Sequence, residues 1–203
     1  MTTITMYPTE YHVCKNIINF CKFRGMELDR NYELKADGRA IVMEEPIMFF
    51  PTKNGVKYQI IYIPANSDKY KKNNFNRIAQ PEYEIIVVKD PSKKIKYLEK
   101  PITEYPIGAF LRNHPKAWKV KGQECKILTE DEVNNYLNIH KMLVTSFPKL
   151  HPSSVEAIWY GLQEGNVVEL TSMSISSAGV ACSLRRVSKT GKVSIEPAFE
   201  DED

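Results

Sequence analysis

The sequence predicts an α+β protein built from two small units. Three observations lead there. An amphipathic helical pattern near the start is followed by runs rich in β-branched and aromatic residues. A later stretch contains two capping-box patterns that open helices between strand-like runs. Between the two lies a polar, basic segment with Pro and Gly, Asn113 to Gly122 (NHPKAWKVKG), which reads as a connection between domains. The expected boundaries are 1–122, 123–187 and an acidic tail, 188–203.

In chain order, Thr9 to Phe23 reads as the first helix. Tyr11, Cys14, Ile17, Ile18 and Cys21 recur at three- and four-residue steps. Thr9 after Pro8 is its expected N-cap, and Gly25 stands where a left-handed residue ends a helix. Ala40–Val42, Ile47–Phe50, Tyr58–Ile63 and Glu84–Val88 read as strands. Gly38, Asn54-Gly55 and Asp90-Pro91 punctuate them as turns. Lys69 to Asn76 is a basic loop or helix start, and a short helix is expected around Pro106–Leu111. This half reads as mixed α/β.

In the second half, Thr129-Glu130-Asp131-Glu132 is a capping box opening a helix whose apolar face is Val133, Tyr136, Leu137 and His140. Ser153-Ser154-Val155-Glu156 reads as a second box, opening a short helix that stops at Gly161. Val167–Leu170 and Val180–Val187 read as strands joined by a Ser-rich turn ending in Gly179.

Composition narrows the function classes. The chain has 203 residues, 42% hydrophobic and 26% charged, which suits a globular core rather than large-scale disorder. No secretory signal and no membrane-length apolar run is visible, so no membrane partner is expected. The cysteines at 14, 21, 125 and 182 lack the close spacing of a zinc site, and Cys14 and Cys21 read as small buried hydrophobes. Residues 1–122 carry 21 Lys+Arg against 13 Asp+Glu, a balance of +8. Residues 123–203 carry 7 against 12, a balance of −5. One half is therefore suited to face a polyanion and the other is not.

No complete set of catalytic residues stands out. The nearest pattern is the acidic residue plus Glu-x-Lys by which some nucleases hold a metal, matched loosely by Asp90 with Glu124-Cys125-Lys126. A second Glu-x-Lys, Glu33-Leu34-Lys35, shows how readily that tripeptide arises. Only two acidic groups are available, so neither an enzyme nor a cofactor is expected.

Taken alone, Trp159 and Tyr160 are packing residues, and Gly161 and Gly165 are turn glycines. Their order and spacing carry more. Cys125-Lys126-Ile127-Leu128 runs into Thr129. Then come Phe147-Pro148-Lys149-Leu150, Ala157 with Trp159-Tyr160-Gly161-Leu162, Gly165-Asn166-Val167-Val168 and Ser177-Ala178-Gly179. This series resembles the assembly domain of the fifth subunit of DNA-directed RNA polymerase, common to eukaryotic-type enzymes and present in shorter form in archaeal ones. From Thr129 through Val168 the resemblance needs no gap. The first half is similar to that family's eukaryotic-type jaw domain, itself like a truncated nuclease fold. That similarity lies in the Lys15–Gly25 helix, in Phe49-Phe50-Pro51 with Val56-Lys57, and in Ile85–Val88. The sequence departs from the family at Ser154-Val155 (Asp-Pro there), Ile158 (Arg), Gln163-Glu164 (a basic pair) and Ser172-Met173 (Arg-Pro).

The resemblance implies a non-catalytic subunit, with nucleotidyl transfer residing in other subunits and no cofactor of its own. It implies docking on the largest subunit, beside neighbouring subunits, through Thr129, Phe147, Pro148, Trp159, Tyr160, Gly161, Gly165, Val167, Val168, Ala178 and Gly179. It also implies a jaw near downstream duplex DNA. Lys69, Lys71, Lys72, Lys93, Lys94 and Lys96 would then face phosphates weakly and without sequence preference, with Arg77 and Lys89 among the same basic residues. The expected location is the nucleus for a cellular protein. For a virus-encoded version, which the departures favour, it is the host cytoplasm and the virion. The alternative function is a free adaptor that recruits a transcription regulator to polymerase.

Overall fold

The computed structural model describes residues 2–6, 8–36, 46–64, 75, 77–92, 102–174 and 179–189, and the chain is α+β. It divides into two compact units, Met1–Asn113 and His114–Asp203.

In the first unit, β1 (Thr2–Met6) pairs in parallel with β3 (Tyr32–Ala36). Helix α1 (Pro8–Phe23) buries Val13, Cys14, Ile17, Phe20 and Cys21; Cys14, Ile17 and Cys21 belong to the expected stripe, while Tyr11 and Ile18 are only partly buried. The helix begins at Pro8, so Thr9 lies inside it rather than capping it. Proline suits a first helical turn, having no amide to leave unpaired there. At the other end Gly25 takes φ +64, and the Met26 amide donates to the Cys21 carbonyl at 2.8 Å. That bond satisfies a carbonyl the helix would otherwise leave open. Asn16, buried among the apolar residues, donates through Nδ2 to the Phe110 carbonyl at 2.9 Å.

The larger sheet has the order β2-β5-β6-β7-β8, with β4 also paired to β6. Its strands are β2 (Glu27–Leu28), β4 (Ile47–Phe49), β5 (Pro51–Lys53), β6 (Val56–Tyr62), β7 (Glu84–Lys89) and β8 (Thr103–Pro106). Asn54 and Gly55, at φ 50 and 78, make the tight turn between β5 and β6. Two successive positive φ values match the right-handed twist of a hairpin. Strands β6, β7 and β8 are parallel, and Ile60–Ile63 and Ile85–Val88 are buried on both faces. Continuous apolar runs are what parallel strands require. The expected short helix is a 3-10 turn, Ile107–Phe110, which sets Phe110 against Phe20. Ala40–Val42, Gly38 and most of Lys69–Asn76 lie outside the described residues.

The second unit begins earlier than its sequence boundary. The segment read as a connection is a helix, α2 (His114–Val120), whose Trp118 is buried. The Trp118 ring stacks on Tyr160 at 5.0 Å and meets Trp159 edge-on at 6.3 Å. One large apolar ring thus anchors an otherwise polar segment. After it come β9 (Glu124–Ile127), α3 (Glu130–His140), β10 (Lys149–Leu150), α4 (Val155–Tyr160), β11 (Val167–Ser174) and β12 (Gly179–Val187). The sheet order is β10-β12-β11-β9, and β11 is antiparallel to both its neighbours. One sheet face carries Val168 and Val187, which join Leu150, Ala157 and Leu162 in the core.

The Thr129 capping box is present: the hydroxyl accepts from the Glu132 amide while the Glu132 carboxylate accepts from the Thr129 amide at 2.8 Å. The second box is not formed as read. Ser154, not Ser153, caps α4, accepting from the Ala157 amide at 3.2 Å. The helix does end at Gly161, in the left-handed region at φ 70. His140 is exposed rather than part of an apolar face, its ring resting on Tyr136 at 4.2 Å.

Candidate functional site

Of the eleven positions expected to dock on a partner, five serve the second unit's own interior. Trp159 is 0% exposed, held between His114 and Trp118. Phe147, Val167 and Val168 are buried too, and Phe147 packs on Tyr136 at 5.7 Å. Tyr160 is half-buried under Trp118. Its hydroxyl is pushed up to about 12, chiefly by burial and then by Cys125, Glu124 and Glu156 nearby. These side chains shape the unit rather than present a surface. Gly161 and Gly165 (φ 95) are turn positions, and the Gly165 amide donates to the Val187 carbonyl at 2.9 Å. Thr129 and Pro148 are exposed; the Pro148 carbonyl accepts from the Arg186 amide. Gly179 is exposed at the start of β12, and Ala178 lies outside the described residues.

The six lysines expected to face DNA, Lys69, Lys71, Lys72, Lys93, Lys94 and Lys96, also lie outside the described residues. Of the two further basic residues, Arg77 is exposed. Lys89 is buried at the end of β7 and holds Glu104 at 2.9 Å, so it is not a surface charge for phosphate. The nuclease pattern divides between the units, with Asp90 in the first and Glu124 and Lys126 in the second. The Asp90 carboxylate accepts from the amide and hydroxyl of Ser92 at 2.8 and 2.6 Å, closing a turn. The Lys126 ammonium is paired with Glu132. Among the described residues no three His, Cys, Asp or Glu side chains are gathered as metal ligands.

Two arrangements escaped the sequence reading. In the first unit, the Arg30 guanidinium sits over Tyr32 and Phe50 at 5.4 and 5.8 Å. Phe50 meets Tyr83 at 5.6 Å, and the Lys57 ammonium sits over Tyr83 at 5.9 Å. These residues come from well-separated places in the chain, and nothing in their local sequence announces the cluster.

In the second unit, the sheet face opposite the core forms a groove with α3. Its volume is about 440 Å³. Lys126 and Leu128 come from β9 and the residues after it, Glu169 from β11, and Cys182 and Leu184 from β12. Glu132, Asn135, Tyr136 and Ile139 line it from α3. Alternation along a strand explains the set: Cys125 points to the core cluster while Lys126 points to the groove. No α3 side chain is buried, and Ile139 is 67% exposed. Met142 and Leu143, just after the helix, are exposed as well, Leu143 at 72%. The Cys182 thiol donates to Glu169 at 3.3 Å and is raised by burial and by that carboxylate.

No family model matches the sequence, and no curated protein matches it. Among the described residues no helix is long and apolar enough to cross a membrane.

Proposed function

We propose that the protein is a non-catalytic structural subunit of a multisubunit DNA-directed RNA polymerase. The second unit docks on the largest subunit, and the first lies near downstream duplex DNA. One observation carries this reading. The residues that resemble the polymerase subunit fall, in order, on the successive turning points of a single compact unit. Thr129 caps α3, and Phe147–Leu150 leads into β10. Ala157 to Leu162 forms α4 and its left-handed end, and Gly165–Val168 turns into β11. Caps, positive-φ glycines and buried aromatics are the positions at which a small fold restricts its sequence most. An ordered match at many of them favours a shared architecture over a chance likeness.

In this reading the protein binds no cofactor and performs no chemistry. It works where its polymerase works: the nucleus for a cellular enzyme, the host cytoplasm and the virion for a viral one. The test is to tag the full chain and identify what co-purifies at high salt. The expected result is a stoichiometric polymerase assembly, lost when residues 114–189 are deleted. Normal assembly of residues 1–113 alone would refute the docking assignment. Substoichiometric, salt-labile association would favour the free adaptor instead.

A further inference from the structure

We infer that the groove between α3 and the outer sheet face is a docking site for a partner segment that presents an apolar anchor flanked by lysine or arginine. The inference deepens the polymerase reading and rests on it only for the partner's identity. A stretch of the largest subunit is the occupant that reading supplies.

The lining is part apolar and part charged. Leu128, Tyr136 and Leu184 supply the apolar part, Glu169 lies between Leu184 and Lys126 on the sheet, and Ile139 is largely in water. A helix that packs fully on its own sheet buries a continuous stripe. Helix α3 keeps Val133, Tyr136 and Leu137 partly buried, but Ile139 and, just after the helix, Met142 and Leu143 are left exposed for something else to cover. At about 440 Å³ the space admits one or two large apolar side chains rather than a whole element. Exposed apolar surface next to a shaped depression is the usual mark of an interaction site.

The charged lining selects the partner's charge. Glu132 and Glu169 line the groove, and Glu130 and Asp131 share the first turn of α3 with Glu132. Among the described residues the base lining it is Lys126, which pairs with Glu132, so those two cancel and Glu169 is left as the lining's net charge. With Glu130 and Asp131 beside it, the groove is net acidic. That arrangement attracts cationic flanks, repels acidic ones, and leaves the anchor to supply burial.

The chain carries its own reporter. Cys182 is exposed and lines the groove, whereas Cys125, on β9 of the same sheet, faces the core and is half-buried. Alkylation of the purified full-length chain by iodoacetamide, resolved residue by residue, therefore reads occupancy at Cys182 with Cys125 as internal control. The probe is a synthetic amphipathic peptide with leucines at helical spacing and lysines elsewhere, compared with the same peptide carrying glutamates for lysines. At about ten times its Kd the lysine peptide should leave roughly a tenth of the grooves open, slowing Cys182 about tenfold while Cys125 is unchanged. Ile139→Asn, at an exposed position where folding should survive, is expected to weaken the lysine peptide about tenfold. Glu169→Gln should narrow the preference for lysine over glutamate. Equal protection by both peptides, no protection of Cys182, or indifference to Ile139→Asn would each overturn the proposal. The same alkylation on complexes co-purified with the tagged chain separates the two readings. If polymerase co-purifies and Cys182 reacts as in the free chain, the groove assignment falls and the polymerase reading stands. If the peptide results hold and no polymerase co-purifies, the reverse follows.

Discussion

Replacing Trp118 by alanine tests whether α2 belongs to the second unit. The side chain is buried, stacked on Tyr160 and edge-on to Trp159. A buried tryptophan hides about 150–250 Å² of surface, worth roughly 4–6 kcal/mol at about 25 cal/mol per Å² and fewer once residual burial in the unfolded chain is counted. Measured losses for such truncations run about 3–5 kcal/mol. Small domains have only about 5–15 kcal/mol in total. The variant should therefore lose most of the second unit's stability. Even 3 kcal/mol corresponds to a fall in Tm of roughly 12–24 °C for a domain of this size. Thermal unfolding followed by near-UV circular dichroism, with hydrogen exchange across 114–189, reads the effect. A fragment beginning at residue 123 should show the same deficit against one beginning at 114. If Trp118→Ala costs less than about 1 kcal/mol, a value ordinary for a surface change, α2 is a tether and the unit begins later.

Thr129→Ala removes one arm of the capping box and should cost about 1 kcal/mol in denaturant unfolding, with Thr129→Ser retaining most of it. Burial, with Glu156 second, pushes the Cys125 thiol up from its ordinary 9.0 to about 11, and burial likewise raises Tyr160. The folded state then keeps protons that the unfolded chain gives up. Its contribution is complete below pH 9 and lost as pH rises through about 11, so denaturant midpoints should fall over that window and Cys125→Ala should flatten the fall's first part. On the polymerase reading, changing Lys69, Lys71, Lys72, Lys93, Lys94 and Lys96 to Gln should leave assembly intact while lowering the salt tolerance of elongation complexes. Each lost phosphate contact should reduce the salt slope by roughly 0.9, and an unchanged slope would make these lysines solvated surface.

What could be read in the sequence was what local chemistry decides. The α1 stripe, the Asn54-Gly55 turn, the Thr129 box and the Gly161 stop each depend on residues within a turn or two of one another. The box as read puts Ser153 three residues before Glu156, whereas the helix's actual start at Val155 makes Ser154 the cap. Helix α2 was illegible for a different reason. It is seven residues long with one buried side chain, so it has no periodicity to detect, and the rings that hold it come much later in the chain. The groove was hidden in the same way. Lys126, Glu169 and Leu184 meet only because β9, β11 and β12 are neighbours, an order no single strand encodes. Lys89 was misassigned because its ion pair with Glu104 joins parallel strands.

The departures from the polymerase subunit's pattern can be sorted by the same physics. Ser154 does the work of the family's Asp at the helix start, since either side chain accepts a first-turn amide, and Val155 simply occupies the position after it. Ile158, by contrast, is buried where the resemblance has an arginine, and Glu164, paired with Lys189, stands where it has a base. Met173 is exposed in place of one member of the Arg-Pro pair. The helix start is thus kept by an equivalent, while the charged positions of the pattern are not, one of them, Ile158, being buried here. A partner that recognised those charges in a relative would find none of them here. On the polymerase reading, docking by this chain would then draw on other surface of the second unit. Ile139, Leu143 and the acidic groove beside α3 supply apolar area and charge in one place. Buried residues such as Trp159 carry the resemblance, and on the proposed reading the exposed ones around α3 would set the choice of partner.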